Sequence, residues 1–176
     1  MKRVLLLSFV LLGCCLVLCS CGSKEAENST QEVGMPNPWS EAKDAAEAAK
    51  GAGLDGFDLV EDLTLSVGEE TSRTYRYMEG LAEAYLEFPA SAILVRKGTV
   101  GEDGDVSGDY NTYAHTWTEN FKGLEVTCFG NREGEATKTI WSLGEMNYSI
   151  SAQGLGGDQD FGLKADDLQS IIMGLQ

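Results

Sequence analysis

The pattern that most constrains the fold is a series of short segments in which apolar and polar residues alternate, with gaps of only a few residues between most of them. Such alternation puts every second side chain on the same side of a strand, so each segment is predicted to be a half-buried β-strand. A parallel crossover needs about a dozen residues or more, so strands joined by shorter gaps should pair antiparallel. The predicted strands are residues 57–60, 74–78, 83–88, 91–96, 112–118, 124–129, 136–143 and 146–151.

A helix is predicted at each end of this strand-rich region. Asn37 can cap the first helix, Pro38 suits its first turn and Gly51 suits its end. Its apolar stripe begins with Trp39 and continues with alanines, which lets a helix approach a sheet closely. In residues 164–175, apolar side chains recur at i, i+3, i+4 and i+7. The sequence therefore predicts an α+β fold, a mainly antiparallel β-meander sheet with an N-terminal helix and a C-terminal helix packed on one face.

The first 20 residues have the layout of a secretory signal peptide. Two basic residues, Lys2 and Arg3, precede an apolar run that extends to Leu18 and is followed by small residues. The run is about 15 residues long, whereas a membrane-spanning helix needs about 20. Export followed by cleavage is therefore favoured over a permanent membrane span.

The end of this segment carries a more specific motif. Residues 18–21, Leu-Cys-Ser-Cys, resemble the lipobox of bacterial lipoproteins, in which an apolar residue and two mostly small residues precede a cysteine. The resemblance implies that Cys21 receives a diacylglyceryl group on its sulfur, that cleavage occurs before it, and that the lipid attaches the chain to the membrane. The alternative is an ordinary secretory signal in which the cysteines are incidental.

The rest of the chain divides into a tether and one domain. Residues 21–36 have few apolar side chains and no periodicity, as expected of a flexible tether that carries the lipid. Residues 37–176 are long enough to bury the core of a single extracytoplasmic domain. Loss of Lys2 and Arg3 with the signal peptide leaves 11 basic against 28 acidic residues, a formal net charge of −17. Such a surface repels nucleic acid, so nucleic acid is excluded as a partner.

Motifs that indicate catalysis are missing from the sequence. It contains no nucleophile elbow, metalloprotease helix motif, dinucleotide fingerprint or P-loop. Cys128 alternates in register with Leu124 and Val126, which predicts a buried and inert thiol, and the single histidine, His115, is not expected to activate it. We therefore predict a protein that is not an enzyme and has no catalytic residues.

One acidic loop is the only candidate metal site. Counted from Asp103, it resembles the first half of a calcium-binding EF-hand loop, because oxygen-bearing side chains stand at positions one, three and five and glycine stands at position six. Asp109, at position seven, would have to offer its backbone carbonyl. Position twelve, which should be a bidentate glutamate, is Ala114. We therefore expect calcium to bind weakly or not at all; the candidate ligands are Asp103, Asp105, Ser107 and Asp109.

A second, diffuse resemblance concerns the whole domain. Residues 108–111, the polar-aromatic strand pairs that follow, Trp141, residues 148–151 and the C-terminal amphipathic helix are similar to a domain of unknown function. That domain occurs in bacterial lipoproteins and at the extracytoplasmic ends of some anti-sigma factors. The resemblance implies a sensing or binding module on the extracytoplasmic face of a Gram-positive cell membrane. The sequence thus predicts a membrane-anchored domain that binds an envelope protein or a small ligand; a calcium-stabilised module and an enzyme with an unrecognised site are the alternatives.

Overall fold

The computed structural model describes residues 37–99, 102–158 and 160–175. The predicted signal peptide, the tether and Cys21 lie outside the described residues. Residues Asn37–Gln176 form one compact unit. No helix in the described part of the chain is long and apolar enough to cross a membrane.

An eight-stranded antiparallel sheet dominates the domain, which confirms the predicted α+β class. The sheet consists of two meanders, β4–β6 and β7–β10, placed side by side so that β6 pairs with β10, and β1 pairs with β4 at one edge. A separate two-stranded ladder, β2 with β3, lies outside the sheet. The strands are β1 (Ser40–Ala42), β2 (Thr64–Leu65), β3 (Gly68–Glu69), β4 (Ser72–Met78), β5 (Leu81–Phe88), β6 (Ser91–Gly98), β7 (His115–Phe121), β8 (Leu124–Gly130), β9 (Lys138–Leu143) and β10 (Met146–Gly154).

Two helices cover one face of this sheet, called the core face below. Helix α1 (Ala45–Ala52) packs against β4 and β5, and α2 (Ala165–Gly174) contacts β7. Their buried side chains join one core cluster with alternate residues of the central strands, such as Ala84, Val95 and Ile150. This shared core places both helices on one face of the sheet, as predicted. Cys128 is part of the same cluster and is fully buried, as predicted.

The first helix begins later than predicted. Asn37 and Pro38 precede it, and Trp39 lies outside it, because the chain first forms β1. The true cap is Asp44, whose carboxylate accepts a hydrogen bond from the Glu47 backbone N–H at 2.8 Å. Glu47 in turn accepts a bond from the Lys43 N–H at 3.0 Å, a reciprocal arrangement that outcompetes the weaker Asn-Pro signal. The helix ends at Ala52 and is capped by Gly53, which has a φ of 74°, whereas the predicted end was Gly51.

Two of the predicted strands were also wrong, one in its existence and one in its bounds. Residues 57–60 form no strand; Phe57 is fully buried and covers the core from an irregular segment, so its alternation reflects packing from a loop. The strand predicted at 112–118 begins at His115 and extends to Phe121. Residues before it are held as a loop by local side-chain bonds, including one from the Ala114 N–H to the Asn131 side-chain oxygen at 3.1 Å. The remaining predicted strands and the C-terminal helix differ from those observed by three residues or fewer at each end.

Candidate functional site

The face of the sheet opposite the helices, called the second face below, is polar and carries a buried ion-pair cluster. The register places Glu83 between Arg76 on β4 and Arg96 on β6. The Glu83 carboxylate, with 1% of its surface exposed, accepts bonds from the Nε atoms of both arginines, that of Arg96 at 2.7 Å. The Trp39 ring stacks on Arg76, with the guanidinium carbon 4.4 Å from the ring centroid. Trp39 therefore packs on the second face, at the point where the chain enters the domain.

The described part of the connection from β6 to β7, residues 102–114, lies on this second face. Arg96 Nη1 donates to the carbonyl oxygens of Val106, at 3.2 Å, and Ser107. Lys138 Nζ lies 3.0 Å from both an Asp105 carboxylate oxygen and the Asp109 carbonyl oxygen. Two cations that project from the sheet thus hold the loop against it.

These contacts define the surroundings of the four predicted calcium ligands. Asp103 is exposed, and Ser107 is buried, its hydroxyl accepting a bond from the Asp109 N–H at 3.1 Å. Asp109 accepts bonds from the Asn111 N–H, at 2.9 Å, and from the Tyr113 hydroxyl. Among the described residues no group of three or more histidine, cysteine or acidic side chains is arranged to hold a metal. Calcium binding by this loop stays a prediction, and in the described structure Lys138 supplies the positive charge beside Asp105.

The electrostatics of the loop follow from the same pairs. Burial by itself would raise the pKa of Asp105, but hydrogen bonds from Ser107 and the Lys138 ammonium outweigh it and lower the pKa. Burial, followed by the hydrogen bond to Asp109 and the charge of that carboxylate, raises the pKa of Tyr113. At neutral pH the Tyr113 hydroxyl therefore stays protonated and donates a hydrogen bond to the Asp109 carboxylate.

A groove with a volume of about 690 Å³ lies on the second face beside this loop. Its floor is formed by cross-strand neighbours on β5, β6 and β10, Tyr85, Leu94 and Ser151, with Ala92 and Gln153 in the next row. Three strands span about 10 Å, the width of a small linear ligand or a sugar ring. Three loops complete the lining: the β6–β7 connection supplies Asp109, Asn111, Thr112 and Tyr113, the β8–β9 connection supplies Asn131, and the β10–α2 connection supplies Gly157, Asp158 and Asp160.

Several hydrogen-bond donors that line the groove are already used within the chain. Tyr113 donates to Asp109, Asn131 Nδ2 donates to Asp160 Oδ1 at 2.9 Å, and Gln153 Nε2 donates to the Tyr85 hydroxyl at 3.3 Å. Thr137 likewise donates to a backbone carbonyl. Unused donors remain on other lining side chains of the described residues: the hydroxyls of Tyr85, Thr112 and Ser151, the amide of Asn111 and the terminal nitrogens of Arg76.

The charged side chains of the groove are mostly carboxylates: among the described lining residues Asp109, Asp158 and Asp160 are acidic, and Arg76 is the one cation. A carboxylate can accept about four hydrogen bonds. Asp158 is paired with Arg132, at 2.9 and 3.2 Å. Asp109 accepts two bonds and Asp160 accepts one from the described residues. Asp109 and Asp160, which come from different loops, therefore keep unused acceptor positions and contribute negative charge to the lining of the groove.

Neither Cys128 nor His115 belongs to this groove. Burial raises the pKa of the Cys128 thiol to about 11, so the thiol remains protonated at neutral pH and is a poor nucleophile. Its sulfur accepts a weak bond from the Thr139 hydroxyl at 3.7 Å. His115 is exposed at the far edge strand, β7.

The sequence did not reveal the groove as a site. Alternation within the strands identified Tyr85 and Ser151 as strand residues, but only the pairing of β6 with β10 brings them into one floor. The rest of the lining comes from three loops that are far apart in the chain, and no local pattern links them. No family model, curated protein or solved structure matches the chain.

Proposed function

We propose that this chain is a lipid-anchored, extracytoplasmic binding module that carries out no catalysis. The lipobox resemblance at residues 18–21 supports attachment through Cys21, and the polar tether gives the domain about 20 Å of reach from the membrane. The ligand site is the groove on the second face. An acidic surface with a net charge of −17 after processing agrees with a membrane contact made by lipid alone and with attraction of positively charged ligands.

The observation that carries the binding proposal is the excess of carboxylates over cations among the described residues that line the groove. A ligand that fills it has to donate hydrogen bonds to Asp109 and Asp160, since these carboxylates lose water on binding. A positively charged donor gains more than a neutral one because charge-assisted bonds are about twice as strong. The ligand class that fits is a small molecule or peptide side chain with a primary amine or guanidinium group.

Lipid attachment is tested by labelling cells with radioactive palmitate. We expect Cys21→Ser to abolish labelling and Cys19→Ser to retain it, because only the cysteine at position 21 becomes the first residue of the mature chain. Normal labelling of both variants would show that the lipobox assignment is wrong.

Ligand binding is tested by NMR titration of the mature protein with spermidine, a linear triamine. The side-chain amides of Asn111, Asn131 and Gln153 line the groove and report directly on its occupancy. We expect their resonances to shift with spermidine and not with fully N-acetylated spermidine. Equal shifts with both compounds, or shifts spread over the whole acidic surface, would contradict a groove that selects amines.

A further inference from the structure

The outer edge of β7 is unpaired. Strand β7 is the last strand in the sheet order, and within the described residues its only strand partner is β8. The β7–β8 hairpin has a two-residue turn, Lys122-Gly123, with φ of 53° and 95°, so the flanking residues Phe121 and Leu124 form a hydrogen-bonded pair. Because such pairs alternate, the N–H and C=O groups of Thr116, Thr118 and Asn120 point away from the sheet. All three residues are exposed.

In its described residues this edge lacks several of the usual protections against strand addition, and its one charged side chain on the core face is Glu119. Natural edge strands are shortened, bulged, or carry proline or lysine. The opposite edge of the sheet follows this rule, because β1 has only three residues. Strand β7 has seven residues without proline or lysine, and its register with β8 is unbroken from His115 to Phe121.

We propose that a second copy of the chain docks on this edge, with β7 pairing antiparallel to β7 about a two-fold axis at Thr118. In that register Thr118 lies opposite Thr118 of the second copy, and Thr116 lies opposite Asn120. The outward groups of these residues form about six backbone hydrogen bonds. The two sheets become one continuous sheet with both core faces on the same side.

The side chains of β7 are complementary to themselves in this register. Glu119 is the one carboxylate of the strand, and it lies opposite Trp117 of the second copy instead of opposite its own copy. Within one chain Trp117 Nε1 donates to Glu119 Oε1 at 3.0 Å, so the carboxylate already has a partner before a second copy docks and would meet no other carboxylate directly across the strands. Threonine pairs directly across antiparallel strands are favourable.

Disulfide trapping in the native envelope tests both the contact and its register. In a hydrogen-bonded pair the Cα atoms are about 5.5 Å apart, a separation that a disulfide can span. Thr118→Cys in the full chain should therefore give, on mild oxidation, a species of twice the monomer mass. Thr116→Cys is the matched control, because its two copies would be about 13 Å apart along the strands. The native Cys128 is buried and should not contribute.

The outcomes separate the possible occupants of the edge. A cross-linked dimer with Thr118→Cys and little or none with Thr116→Cys supports the proposed pairing. Equal cross-linking of the two variants indicates random collision or another register and overturns the proposal. A cross-linked product of any mass other than twice the monomer identifies a different protein on the edge, and no product from Thr118→Cys leaves the edge without a second copy; both results also overturn the proposal.

Discussion

Replacing Glu83 with alanine should destabilise the domain more than any other single change on the second face. Its carboxylate is 1% exposed and pairs with Arg96, whose side chain is 12% exposed, and with the more accessible Arg76. Removing one partner of a buried ion pair costs about 3–5 kcal/mol, since the remaining charge stays buried. Arg96 keeps its bonds to the Val106 and Ser107 carbonyls, which places the expected loss near the lower limit, about 3 kcal/mol.

The assay is urea unfolding of the mature protein followed by far-ultraviolet circular dichroism. With an m-value of about 1.5 kcal/mol/M, a loss of 3 kcal/mol lowers the unfolding midpoint by about 2 M. Glu87→Ala is the matched control, because Glu87 lies on the same strand and face and bonds Ser72 in an exposed pair. We expect this control to cost less than about 1 kcal/mol. A Glu83→Ala variant that is no less stable than Glu87→Ala would refute the account of the buried cluster.

Three further predictions concern the thiol, the first helix and the acidic loop. Cys128 should react with a thiol reagent only after denaturation. Its folded pKa of about 11 exceeds the usual value near 9, so the stability that the thiol contributes should fall by about 2–3 kcal/mol as the pH rises from 9 to 11. Cys128→Ala should remove that part of the decline. Asp44→Ala should lower the free energy of unfolding by about 1 kcal/mol through loss of the helix cap, whereas the exposed Asp55→Ala should change it by less than half as much. Calorimetry should show no one-to-one calcium binding tighter than about a millimolar in the native protein. Binding should be tighter in Lys138→Met, where Asp105 loses its ammonium partner. Tight binding to the native protein that is abolished by Asp103→Asn with Asp105→Asn would establish a calcium site.

The fold could be predicted from local patterns where packing and pattern agree. Alternation located β5, β6, β8 and β10 because each has one face in the core, and the i, i+3, i+4 pattern located α2. It failed at residues 57–60, where Phe57 and Leu59 reach the core from a loop. The first helix was placed too early because Asn37 and Pro38 form an acceptable start in isolation, while the Asp44–Glu47 cap is better.

The candidate site could not be predicted because it depends on strand order. Short gaps indicate which consecutive strands pair, but they do not indicate that β10 returns to lie beside β6. That return creates the floor around Leu94 and Ser151 and draws the β6–β7 connection across the second face. The acidic loop could be recognised from its own oxygen-bearing side chains. Its partners, Arg96 and Lys138, could not, because they come from strands that no local pattern connects to the loop.

The central claim, that the groove selects positively charged donors, is tested most directly by calorimetry with spermidine on two charge-matched variants. Asp109→Asn with Asp160→Asn removes both acceptor carboxylates of the groove, and Asp55→Asn with Asp58→Asn removes two exposed carboxylates outside it. At about 0.5–1 kcal/mol for each carboxylate, the first pair should weaken binding by about 5- to 30-fold, and the second pair should leave it within about twofold. Equal weakening by the two pairs would mean that spermidine binds to the overall negative charge and not to the groove.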